Sequence, residues 1–145
     1  MVAKFGVRNP GGVTDVLNRL ENVASESVLR QAAVAGARVL HQEIRMRAPV
    51  AAKGYERKGA QHEPGTLRRS IIIAYDKEQS VPGKLALYLV TWSKEAFYGY
   101  FVENGTSEAA AYPFLRPGYD AKKEEAAQAV VQVYAQKVQE AINGK

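Results

Sequence analysis

Residues 25–47 read as one long helix whose middle is too thin to stand alone. Leu29, Ala33, Gly36, Leu40 and Ile44 step by three and four, which predicts one buried stripe. Ala32, Ala33, Ala35, Gly36 and Ala37 keep that stretch narrow, so another element can approach it closely. Ser25 or Ser27 can open the helix. Pro49 stops it by biasing Ala48 out of the helical region. A second long helix is predicted over about 117–142. Its buried stripe is expected at Ala127, Val130, Val131, Tyr134, Val138, Ala141 and Ile142, its wet face at Gln128, Gln132, Gln136 and Gln139, and its end at Gly144.

The entry to that second helix is stiffened. Pro113 and Pro117 fix φ near −65° and push Tyr112 and Arg116 toward extended geometry, so Pro113-Phe114-Leu115-Arg116-Pro117 reads as a rigid strap. Pro117 suits the first helical position, and Asp120, Glu124 and Glu125 lie toward the positive end of the helix dipole. Phe114 and Leu115 either close a well-packed helix entry or present an apolar ridge outward.

Between the helices lie two strand patterns, Ser70–Tyr75 and Leu85–Trp92, joined through Asp76–Gly83. Apolar residues on both faces of the second suggest that its outer side is covered too, for instance by a neighbouring subunit. Lys4–Val7 reads as a short edge strand and Asn9–Gly12 as a turn. Thr14 can cap a short helix to about Val23, with Val16, Leu17 and Leu20 on one face. Phe97–Val102 is ambiguous between strand and helical turn. Asn104-Gly105, flanked by Glu103 and Thr106, is suited to a turn with positive φ. Residues 48–66 carry Lys53, Arg57 and Lys58 but almost no large apolar side chains, which predicts a mobile, basic loop. The expected architecture is a single α+β domain over 1–145: a small antiparallel sheet packed against two long helices, with one short N-terminal helix.

The net charge of +5 is unevenly placed, because residues 30–69 carry nine Lys or Arg against three Glu. Arg68 and Arg69 follow the basic loop and, with Lys53, Arg57 and Lys58, are candidate contacts for DNA or an acidic partner. The chain has no cysteine, so disulfides, thiolate metal sites and cysteine catalysis are excluded. No run is long and apolar enough for a membrane span, no signal pattern opens the chain, and a soluble intracellular product is expected. His41 and His62 have no partners at metal-ligand spacing, and Glu103 has no nucleophile or acid paired with it in sequence. No phosphate-cradling glycine loop or serine elbow is present, so no enzyme, catalytic residue, cofactor or metal is expected.

"APVAAKG…PGTLRRSI", "FYGYFVENGTS" and "AAYPFLRPGYDAKKEEA" occur in that order. Together they resemble the tail-component family of long-tailed bacteriophages and prophages, counted among neck, head–tail joining or tail-completion proteins. The most specific piece is Val102-Glu103-x-Gly105-Thr106 followed by Pro113-Phe114-Leu115-Arg116-Pro117. The family usually has an aromatic or aliphatic residue where this chain has Asn104, and a shorter connection where it has the basic loop, which looks like an insertion. The resemblance implies a structural virion protein, made in the host cytoplasm, that assembles with itself as a ring, sixfold like the tail. Its neighbours would be head-connector and tail-tube or tail-terminator proteins. In such a ring the strap 113–117 would serve as the subunit interface, because a preorganised ridge avoids the cost of ordering on assembly. Lys53, Arg57 and Lys58 would then face either the lumen, touching duplex DNA without reading sequence, or a partner ring. A small basic nucleic-acid-binding domain is the alternative reading, although no aromatic-interleaved basic motif or helix-turn-helix supports it.

Overall fold

The computed structural model describes Ala3, Gly6 and residues 11–57 and 59–144, the side chains of residues 55, 57 and 60 excepted. The edge strand expected at Lys4–Val7 and the first half of the turn at Asn9–Gly12 lie outside the described residues. In chain order come α1 (Gly11–Val23), α2 (Glu26–Arg47), β1 (Tyr55–Arg57), β2 (Ala60–His62) and α3 (Thr66–Arg69). β3 (Ile71–Tyr75), β4 (Tyr88–Trp92), a single 3-10 turn (Lys94–Ala96), α4 (Gly99–Asn104) and α5 (Leu115–Asn143) complete the fold. It is the expected α+β arrangement.

The helix boundaries follow from local chemistry. Ser25 caps α2, its side chain accepting the Val28 N–H at 3.5 Å. At the other end Ala48 turns out of the helix (φ −58°, ψ 127°), as a residue before proline must. The carbonyls left over there are taken by a cation, because the Arg68 guanidinium donates to Ala48 O at 2.8 Å and Met46 O at 3.1 Å. α1 starts at Gly11, earlier than expected, which puts Thr14 inside the helix rather than at its cap.

α2 and α5 lie antiparallel at very short range, and two glycines permit it. A Cβ on Gly118 would sit 2.7 Å from Ile44 Cγ1 and 3.2 Å from Ile44 Cα. A Cβ on Gly36 would sit 2.8 Å from Val130 Cγ2 and 3.1 Å from Ala126 O. Gly118 against Ile44 and Ala126 against Gly36 also fix which side of α5 faces inward. The buried residues of α5 are Gly118, Ala126 and Ala141, whereas Ala127, Val131 and Ile142, expected in the stripe, are exposed. The four glutamines are exposed as expected, and Gly144 ends the helix at φ 72°.

β3 and β4 pair antiparallel from Ile71↔Trp92 to Tyr75↔Tyr88 and pack on α2. β4 begins at Tyr88 rather than Leu85, because residues 85–87 belong to the connecting loop. That loop is tied down at both ends. Asp76 Oδ1 accepts the Glu78 and Gln79 N–H groups, and a Glu26 carboxylate oxygen accepts the Gly83 N–H at 2.7 Å. Sheet, helices and α3 converge on one core of Ile44, Ala48, Leu67, Ile71, Ala96 and Phe114. Residues 48–66 are not structureless. β1 and β2 form a hairpin turned at Gly59 (φ 78°), and the His62 ring meets Tyr98 edge-on at 5.7 Å.

Gly118→Ala should lower stability by about 1–3 kcal/mol, since backbone as well as side-chain atoms of Ile44 must move. Gly12→Ala, in α1 with nothing within 4 Å of its added Cβ, should leave stability unchanged or raise it. Paired thermal melts of the two variants check the assignment.

Candidate functional site: the Glu103 brace

After α4 ends at Asn104, the chain turns sharply and returns past it. Gly105 (φ 76°, ψ 178°) makes the turn, and a Cβ there would lie 2.7 Å from Ala111 N. Thr106 closes the small loop beyond: its N–H donates to Ala109 O at 2.8 Å, and its Oγ1 accepts from the Glu108 and Ala109 amides. Asn104 itself is helical, so Asn-Gly acts here as a helix stop and not as a hairpin turn. The returning strap is then tied to α4 by Tyr112 N–H to Val102 O at 2.7 Å.

Glu103 completes the connection. One carboxylate oxygen accepts the N–H of Phe114 (2.7 Å) and of Leu115 (2.9 Å), and the other accepts that of Arg116 (3.0 Å). Every helix start leaves four N–H groups without an intrahelical partner. In α5 these belong to Phe114, Leu115, Arg116 and position 117. Glu103 takes the first three, and the fourth is absent because residue 117 is proline. Gly118 N–H to Phe114 O, at 3.1 Å, is the first helical bond. Pro117 is therefore the third helical residue, not the first, and still costs nothing. Partial burial pushes the Glu103 carboxyl up, but the Arg116, Phe114 and Leu115 amides, aided by the Arg116 charge, outweigh it and hold it below its ordinary value.

This brace decides where the strap residues go. Phe114 is 0% exposed and packs 6.0 Å from the Trp92 ring, so the outward ridge expected at Phe114 is corrected: it is core. Leu115 and Pro117 are half-buried, while Pro113 and Arg116 are exposed. The exposed aromatics are instead Phe97, Tyr100, Phe101, Tyr112 and Tyr119. Positions 97, 100 and 101 are three and four apart, the spacing of one helix face, and that signal was present in the sequence. Of the basic residues, Arg68 is engaged on the α2 carbonyls and Arg69 donates to Pro64 O at 3.2 Å. Lys53 is exposed, Arg57 pairs through its backbone in β1, and Lys58 lies outside the described residues.

A second feature adjoins the brace. A groove of about 560 Å³ runs between α2, β4 and the first half of α5, lined by Gly36, Leu40, Leu87, Val90, Leu115 and Tyr119 among others. Apart from Arg116 at one end its lining carries no charged residue. Leu85 and Leu89 beside it are nearly half exposed. Their exposure leaves the outer side of β4, expected to be covered, partly open within one chain.

Glu103→Gln should cost about 2 kcal/mol at neutral pH, because an amide supplies one acceptor where three amides need two. A lowered folded-state pKa stabilises above the ordinary carboxylate range, and that contribution is lost as pH falls through the lowered value. The gap in melting temperature between parent and variant should therefore close on acidification, and a pH-independent gap would contradict the brace. Gly105→Val should destabilise independently of pH, through its positive φ and the Ala111 backbone.

The matched family profile is described as "Bacteriophage HK97-gp10, putative tail-component" and covers residues 13–105, more than half of the chain. No curated relative and no solved structure matches at a comparable level. Glu103 and Gly105 fall within the matched residues, and the strap they hold follows directly. The chain thus belongs to the HK97-gp10-like family of bacteriophage tail components, which are parts of the virion.

Proposed function

We propose that the chain is a structural protein of the phage neck, made in the host cytoplasm, that forms a sixfold ring. The ring joins the head connector to the tail tube or completes the tail. Its neighbours are head-connector and tail-tube or tail-terminator proteins. The observation that carries the reading is a rigid frame with its aromatics outward. Tyr100 and Tyr112 are 59% and 60% exposed on segments fixed by Glu103, Tyr112 N–H and Gly105. Aromatic side chains held on a stiff frame bind with little ordering cost, and such residues dominate interface energies.

The hairpin 55–62 is a secondary element of the same proposal. Arg68 and Arg69 are engaged within the chain, and Lys53, Arg57 and Lys58 are the basic group assigned to DNA in this proposal. Six copies facing the lumen would place about eighteen cations around the duplex, touching phosphates only, so their effect would fade as salt rises.

Phe101→Ala together with Tyr100→Ala should abolish ring formation and leave the melting temperature nearly unchanged. Light scattering after size exclusion, and electron microscopy with tail tubes, read the first. Phe114→Ala should do the reverse and destabilise the subunit by about 3–5 kcal/mol. A doubly substituted chain that assembles as the parent does would overturn the aromatic interface.

A further inference from the structure

β4 is an open edge. Asp76 N–H to Leu87 O and Ser93 N–H to Ser70 O set the phase of the ladder, so Leu89 and Thr91 bond inward to β3. The backbone groups of Tyr88 and Val90 alternate outward, and among the described residues neither makes a hydrogen bond on that side. The apolar groove lies along this edge. Within β4, Tyr88, Leu89 and Val90 all line it although their side chains alternate, so the edge of the strand lies along it. An unpaired edge beside an apolar trough fits an extended segment with apolar side chains on one face.

The chain contains such a segment. Ala3, Phe5 and Val7 alternate with Lys4, Gly6 and Arg8, a period-two pattern. It cannot serve its own groove. Asn22 and Val23 of α1 lie with Lys137, Glu140 and Ala141, whereas Arg19, folded back onto Asp15 O, abuts Gly144. α1 therefore runs antiparallel to α5, and Gly11 projects past the α5 C-terminus. The nearest end of the groove, Val130, lies about 21 Å back along α5 from Gly144. Val7 can stand at most about 14 Å from Gly11.

We propose that Ala3–Arg8 of one copy adds as a third strand to the free edge of β4 in the next copy, with Phe5 and Val7 seated in its groove. This rests on the self-assembling ring proposed above and specifies how its copies join. Donor and acceptor are different surfaces, so each copy gives an arm on one side and receives one on the other, a contact that propagates until a ring closes.

The test places a photoreactive benzophenone at position 5 (Phe5→p-benzoylphenylalanine) and mixes that full-length chain with isotope-labelled parent. The expected cross-link joins residue 5 of the light chain to residues 85–90 or 115–130 of the heavy one. Links within one chain, or to another surface, overturn the proposal. In parallel, Phe5→Asp should weaken self-association by about thirtyfold or more with an unchanged melting temperature, and Phe5→Leu should restore it. If Phe5→Asp assembles as the parent does, the arm is wrong and the ring stands. If the parent itself stays monomeric, both fall.

Discussion

The connection between α4 and α5 depends on one carboxylate. Without Glu103, the exposed amide of Arg116 would turn to water, and the partly buried amides of Phe114 and Leu115 would lose their acceptor. Leaving such groups unpaired costs more than a typical hydrogen bond contributes. With Glu103 in place, the helix starts two residues before Pro117, and that earlier start turns Phe114 inward against Trp92. The same bond fixes α4 to the root of α5, so the face bearing Tyr100 and Phe101 moves with the longest helix of the domain. Local capping, core packing and the presentation of an outward aromatic face are therefore one problem with one solution.

The glycine contacts do for the body of the fold what Glu103 does for its entry. Gly118 and Gly36 bring α5 against α2 at backbone range, leaving no room for larger side chains between them. The sheet packs on α2 beside this pair and meets the start of α5 at Phe114 and Leu115, and the open groove lies between α2, β4 and α5 beyond that contact. A chain of this size buries roughly 70% of its unfolded surface. Here a good part of the apolar remainder is gathered into a trough and an aromatic face, the distribution expected of a subunit.

Where local chemistry decides, the sequence was readable. Ser25, the Ala48-Pro49 pair, Gly105, Gly144 and the isoleucine run of β3 all act within a few residues of themselves. The predicted stripe of α5 is right at Val130, Tyr134, Val138 and Ala141 but takes in the exposed Ala127, Val131 and Ile142 and omits the buried Ala126. Alanines and valines surround that helix, so hydrophobicity alone fixes no phase; contact between Gly36 and Ala126 does. The hairpin in 48–66 was missed because backbone pairing and one His62–Tyr98 ring contact hold it, neither of which large apolar residues announce. Glu103 was legible as a structural residue but not as a brace, because its partners are main-chain amides eleven to thirteen residues away. The family profile reaches Gly105, so the brace begins inside the shared region and acts on residues just beyond it.

An ionised Glu103 holds the start of α5. Carbon-detected NMR titration of the Glu103 carboxyl, followed together with the amide protons of Phe114, Leu115 and Arg116, tests it directly. The carboxyl should titrate with a midpoint below the ordinary glutamate value, and all three amides should shift at that same midpoint. A carboxyl that titrates at its ordinary value while the three amides stay unmoved would contradict it.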